Sequence, residues 1–136
     1  FTGNGGAGKT TTSRLWQAQP GAKVVNDEKV ILRQVNGEFR LYGTPWHGEG
    51  GMALPDWAPL AKVFILKQAS RSFARPLKPI EAATGMFSRA FLPLWDHQAM
   101  DFTLTFLEAL TNSVDCRELH FLPDQSAVDC VLALGD

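Results

Sequence analysis

Apolar residues recur along this chain with a period that changes from segment to segment, and each change marks an element. Thr11 to Ala18 carries Leu15 and Trp16 and runs into the stop signal Pro20-Gly21, which predicts a short helix. Lys23 to Asn26 reads as a strand built on Val24-Val25 and leading into Asp27 and Glu28. Two β-rich runs, Lys29 to Val35 and Glu38 to Tyr42, flank Asn36-Gly37, the strongest short-range hairpin signal a sequence can carry. Glycine and proline then dominate from Gly43 to Pro59, which predicts a long loop anchored by Trp46 and Trp57. The unbroken apolar run Ala61 to Lys67 predicts a buried strand, and Gln68 to Pro79 a further loop. Lys78 to Phe91 and Asp96 to Leu110 predict amphipathic helices separated by Pro93, with Asp96 as the cap of the second. A strand from Arg117 to Leu122 and a helix from Gln125 to Leu134 close the chain. Strands and helices in this order predict an α/β domain with a mixed sheet that contains an early antiparallel hairpin.

Length changes that picture little: 136 residues with 45% hydrophobic content suffice for one core, so a single domain over 1–136 is expected. A formal net charge of -1, from 13 basic and 14 acidic residues, supplies no global field for nucleic acid or an anionic membrane. Any anion site must be local. Cys116 and Cys130 lack the spacing of a zinc knuckle and the density of a disulfide scaffold, so two reduced thiols are expected. With no apolar run near the ~20 residues of a membrane span and no leader pattern, the expectation is a cytoplasmic protein.

The candidate chemistry begins almost at once. Gly3-Asn4-Gly5-Gly6-Ala7-Gly8-Lys9-Thr10 fits G-x-x-x-x-G-K-[ST] at every position. Glycines let successive backbone amides converge on phosphate oxygens, and a helix beginning near Lys9 adds its positive end. In this reading Lys9 bridges the β- and γ-phosphates of ATP, the Thr10 hydroxyl coordinates Mg²⁺, and Thr11 completes the cradle. A strand normally precedes such a loop. Because Phe1 stands only two residues before the motif, most of that strand is expected to lie before Phe1. Asp27 and Glu28 fall at a predicted strand end, where a carboxylate facing the loop can hold the metal and an adjacent acid can take a proton. The competing reading is a polar turn.

The loop, the early acidic pair, the hairpin and the segment Tyr42-Gly43-Thr44-Pro45-Trp46-His47-Gly48 together resemble the HPr kinase/phosphorylase superfamily, which is related in fold to ATP-dependent phosphoenolpyruvate carboxykinase. The resemblance extends over nearly the whole chain, including Ala61 to Gln68 and Leu94-Trp95-Asp96, and is greatest to short HPr-kinase-like serine kinases. It implies ATP- and Mg²⁺-dependent phosphoryl transfer to the serine hydroxyl of a protein or peptide, with Asp27 as base and metal ligand and Lys9 catalytic. Glu28 stands where the family carries a second aspartate. Relatives commonly assemble, so a homo-oligomer is a further expectation. Two other readings remain open: a nucleotide-responsive binding module without transfer, and an NTPase of another P-loop family.

Several residues admit two roles. His47 either orients a phosphate or is a solvated loop residue. Trp46 and Trp57 either cover a base or peptide or anchor the loop. Arg71 and Arg75 either compensate charge on the transferred phosphoryl group or are exposed side chains. His97 and His120 are expected to be structural.

Overall fold

A computed structural model describes residues 1–135. Its strands are β1 (Val30–Val35), β2 (Glu38–Gly43), β3 (Trp57–Pro59), β4 (Lys62–Gln68), β5 (Phe73–Pro76) and β6 (Asp115–Phe121). The helices are α1 (Lys9–Gln17), α2 (Pro79–Phe87), α3 (His97–Ser113) and α4 (Gln125–Leu132). The strands form two small sheets, β1-β2-β3 and β4-β6-β5. The fold is thus a small mixed α/β arrangement, and the expected single sheet is corrected: the hairpin heads an antiparallel sheet of its own.

The hairpin forms where the Asn-Gly pair dictates. Asn36 at φ 50° and Gly37 at φ 80° both take left-handed conformations, the backbone twist of a two-residue type I′ connection. Val35 consequently faces Glu38 and Ile31 faces Tyr42. β3 adds to the free side of β2, so the segment predicted as loop from Gly43 to Pro59 ends in a short strand. Tyr42 and Trp57 stack across that pairing at 6.2 Å, and the Arg40 guanidinium lies 4.3 Å from the Trp57 ring. Trp57 is therefore a residue of the sheet rather than of the loop, with its side chain half exposed.

β4 and β6 run parallel, and β5 joins β6 antiparallel, which corrects the loop predicted over Gln68 to Pro79. β4 reads as an unbroken apolar run because both of its faces are covered. On one face Phe64, Leu66, Leu119 and Phe121 pack with Ala127 of α4 and with Ala7. On the other, Val63 and Cys116 meet Ala82 and Met86 of α2 and Leu107 and Leu110 of α3. Phe39 of β2 joins this second cluster and meets the Phe106 ring edge-on at 5.5 Å, which fixes the hairpin sheet against α3. Full burial of a side chain such as Leu110, at 0% exposure, stabilises by about 1.5–3 kcal/mol.

Helix starts obey local chemistry. The Asp96 carboxylate accepts from Ala99 N at 3.0 Å, as expected for the cap of α3, and Asp124 accepts from Ser126 N at 2.9 Å to start α4. Both cysteines are free thiols, and burial pushes the Cys116 thiol up to about 11, which keeps it protonated at neutral pH. Among the described residues no helix is long and apolar enough to cross a membrane.

Candidate functional site

Before the glycine loop a single residue pairs with the sheet. Thr2 bridges in parallel to Ile65, its amide donating to Phe64 O and its carbonyl accepting from Leu66 N, each at 2.8 Å. The loop therefore leaves the carboxyl edge of the β4-β6 layer, the end at which open α/β sheets bind ligands. Ala7 N donates back to Asn4 O at 3.0 Å and closes the turn. Two glycines are indispensable to its shape. Gly8 has φ 102°, and a methyl group there would meet Phe121 Cζ at 2.6 Å. Gly3 lies so close to Ala7 that an added Cβ would fall 2.7 Å from the Ala7 methyl.

α1 starts directly at Lys9, two residues earlier than its apolar pattern indicates, and Gly8 offers no side-chain cap. Its first helical bond is Thr12 N to Gly8 O at 2.8 Å, so the amides of Lys9, Thr10 and Thr11 precede any intrahelical acceptor. No acidic residue occupies this first turn. The Lys9 ammonium bends back over the loop and donates to Gly3 O at 3.0 Å and Asn4 O at 3.1 Å. Gln68, the last residue of β4, donates to Gly6 O at 2.9 Å and ties the loop to the sheet edge.

The acidic pair reaches this loop by a different route from the one its sequence implies. No strand forms over Lys23 to Asn26; a single antiparallel bridge joins Asn26 to Ala53, with Leu54 N donating to Val25 O at 2.8 Å. Asn26 organises the turn into the hairpin. Its Oδ1 accepts from the amides of Glu28 and Lys29 at 2.7 Å each, and its Nδ2 donates to Thr44 O at 2.9 Å. Asp27, only 4% exposed, is turned inward by this arrangement. Its Oδ1 accepts from Gly48 N at 2.8 Å, and its Oδ2 is buried without a hydrogen-bond partner. Glu28 stays at the surface with Lys29 Nζ 2.8 Å from its Oε1.

The structure brings Asp27 and Thr10 together. A Cβ on Gly50 would run into Asp27 Oδ2 and fall 3.3 Å from Thr10 Cγ2, so both side chains pack against this one glycine. A carboxylate oxygen left unsatisfied in a buried position is costly unless a cation compensates it. Asp27 and Thr10 offer hard oxygen donors of the kind Mg²⁺ takes from proteins, one carboxylate and one hydroxyl with phosphates and waters for the rest. Among the described residues no cluster of three or more His, Cys, Asp or Glu side chains could enclose a metal alone.

The remaining candidates separate cleanly. His47 is exposed, with Nδ1 2.9 Å from Gly48 O, and lies on the segment that carries the Gly48 donor. Trp46, 62% exposed, lines an open cleft of about 330 Å³ with Lys29, Val30, Ile31, Thr44 and Phe91; of these, Lys29 pairs with Glu28. Arg75 is held in ion pairs with Glu81 at 3.2 Å and Glu118 at 3.5 Å, and Arg71 lies over the Phe73 ring at 5.3 Å. His97 sits exposed in the first turn of α3, while His120 bonds Glu118 at 2.6 Å and stacks on Phe73 at 4.4 Å. Sequence reasoning named Gln68 and Gly48 only within the family resemblance, without a role, and passed over Gly50. Gln68 had one visible signal, an amide closing an apolar strand at the edge where a glycine loop emerges.

Comparison with protein-family models, with curated proteins and with solved structures finds no match for this chain.

Proposed function

We propose that this protein binds ATP with Mg²⁺ on the loop Gly3 to Thr10 and transfers the γ-phosphoryl group to a serine hydroxyl of a protein or peptide, in the manner of the HPr-kinase-like serine kinases its sequence resembles. The observation that carries the reading is Asp27 Oδ2, buried and unpartnered beside Thr10 at the start of a helix preceded by the glycine motif. The motif, the free first-turn amides and the inward acid are three separate features of the chain, and they meet in one place.

In this reading the amides of Gly8 to Thr11 and the Lys9 ammonium hold the β- and γ-phosphates, with Lys9 exchanging two neutral carbonyl acceptors for anionic oxygens. Thr10 and Asp27 would hold the ion, which when bound supplies neutralising charge to the phosphate oxygens. The serine oxygen attacks the γ-phosphorus in line with the bridging oxygen, the bond to ADP breaks, and the serine proton passes to the acid pair Asp27 and Glu28. Glu28, exposed and next to Asp27 in the chain, would release that proton to solvent. The cleft lined by Trp46 and Phe91 reaches Glu28 through Lys29 and is open to a peptide.

Transfer of label from γ-labelled ATP to seryl peptides tests the proposal. Wild-type protein is expected to label serine, and Asp27→Asn to bind ATP in the absence of metal as the wild type does while labelling nothing. Tight ATP binding with no label on any acceptor would instead identify a nucleotide-responsive binding module. Indifference of the wild type to ATP would remove the assignment altogether.

A further inference from the structure

The segment from Thr44 to Gly51 does more than connect β2 to β3. It lies flat against Asp27, Glu28 and Thr10, and it can do so only because two of its residues lack side chains. At Gly48 a Cβ would stand 2.7 Å from Glu28 Oε2 and 3.2 Å from Glu28 Cβ. At Gly50 it would run into Asp27 Oδ2, with Asp27 Cγ at 3.2 Å and Thr10 Cγ2 at 3.3 Å. Neither glycine has a positive φ, so what reserves these positions for glycine is the nearness of the acids rather than backbone conformation. The ends of the segment are pinned by Asn26 Nδ2, which donates to Thr44 O and, at 3.3 Å, to Trp46 O, and by Asp27 N, which donates to Met52 O at 3.3 Å. The same Asn26-Asp27 pair thus holds both ends of the strap.

We infer that this strap sets the geometry of the ion's carboxylate ligand: Gly48 is a positioning residue whose amide fixes Asp27 by Oδ1, and the bare Cα of Gly50 lets the strap close on Asp27 without pushing Oδ2 away from Thr10 and a divalent cation held there. The inference rests on the phosphate-loop reading and deepens it by assigning the metal's environment to residues outside the motif. A carboxylate anchored through one oxygen presents the other in a single direction, the arrangement by which outer-shell hydrogen bonds raise the affinity of a metal ligand. Gly48 makes that bond with its main chain, so no side-chain rotamer has to be ordered first. The unpartnered Oδ2 is the second, independent mark of the seat, because a buried carboxylate oxygen without a donor calls for a compensating partner, and a cation supplies one.

Gly50→Ala presses a methyl group against Asp27 Oδ2 and the Thr10 methyl, where the ion would be held, without reaching Gly3 to Lys9. Calorimetry of ATP binding, with and without Mg²⁺ and repeated with Mn²⁺, is expected to show wild-type affinity in metal-free buffer and loss of the metal-dependent gain by roughly 10–100-fold. Glu49→Ala, on the same strap but outside the seat, is expected to keep that gain. An unchanged metal dependence in Gly50→Ala would overturn the inference while leaving the nucleotide site standing. Failure of the wild type to bind ATP at all would overturn both. A measurement on wild-type protein alone guards against misfolding of the variant: adding Mg²⁺ to the ATP complex is expected to slow hydrogen exchange at the amides of Gly48 to Gly51, and no change there would also overturn the assignment.

Discussion

Lys9 and Gly8 show how much of the site is decided by single side chains and by the lack of one. The Lys9 ammonium is bonded to two loop carbonyls, so Lys9→Ala removes contacts that are partly solvated and costs little stability. Its effect should fall on ligand binding. Charge-assisted bonds contribute about 1.5–3 kcal/mol, so calorimetry is expected to report ATP affinity reduced about 10–100-fold. Gly8→Ala should act differently. The residue sits at φ 102° and directly above the Phe121 ring, so a methyl group adds both backbone strain and overpacking. Urea denaturation is expected to show a loss of about 2–4 kcal/mol. The G-x-x-x-x-G-K-[ST] spacing was legible at this scale because every requirement in it is local to eight residues. The Gly48 bond to Asp27 was not, because nothing within either segment announces the other.

Glu118 of β6 belongs to the scale of elements, since its partners come from three strands. Lys67 of β4 lies 2.8 Å from Oε2, while Arg75 of β5 and His120 of β6 lie 3.5 and 2.6 Å from Oε1. Burial by itself would push this carboxyl up, but the bonds from Lys67 and His120 and the charges of Lys67 and Arg75 outweigh it and hold it below the usual glutamate range. A carboxyl depressed in the folded state adds stability above its unfolded value and loses it as pH falls through the folded one. Glu118→Gln is therefore expected to destabilise at pH 7 by about 1 kcal/mol, discounted because Lys67 and Arg75 are half exposed. The difference from wild type should shrink as pH drops below the ordinary glutamate range, which urea midpoints from pH 7 to pH 3 would track. The elements themselves were unevenly legible. β1 and β2 follow from Asn36-Gly37, and α3 from Asp96, because those signals act over a few residues. β3 and β5 escaped notice because Trp57-Ala58-Pro59 and Phe73-Ala74-Arg75-Pro76 carry no alternation and exist through pairing with distant strands. Val24-Val25 erred the other way, showing strand character with only one bridge beside it.

For the molecule as a whole, the β4-β6 pair carries a buried cluster on each face, so stability should be sensitive on either side. Leu110 of α3 is fully buried in one cluster and Phe121 of β6, at 1% exposure, in the other. Leu110→Ala is expected to lower unfolding free energy by about 2–5 kcal/mol without altering ATP affinity. That separation would show in paired melting and binding measurements. The α/β class was legible from the alternation of elements, whereas the division into two sheets was not, because it depends on Phe39 turning the hairpin towards α3.

Phe121 has a further consequence. Its ring lies under Gly8 and its main chain closes the parallel pair, so the floor of the glycine loop is also a wall of the cooperative core. Anything gripping the loop should accordingly delay melting of the entire protein rather than of a frayed end. At a hundredfold excess over its dissociation constant, a nucleotide would add about 2.7 kcal/mol. A simple thermal-shift series across ATP, GTP and pyrophosphate would then rank ligands before any acceptor is known.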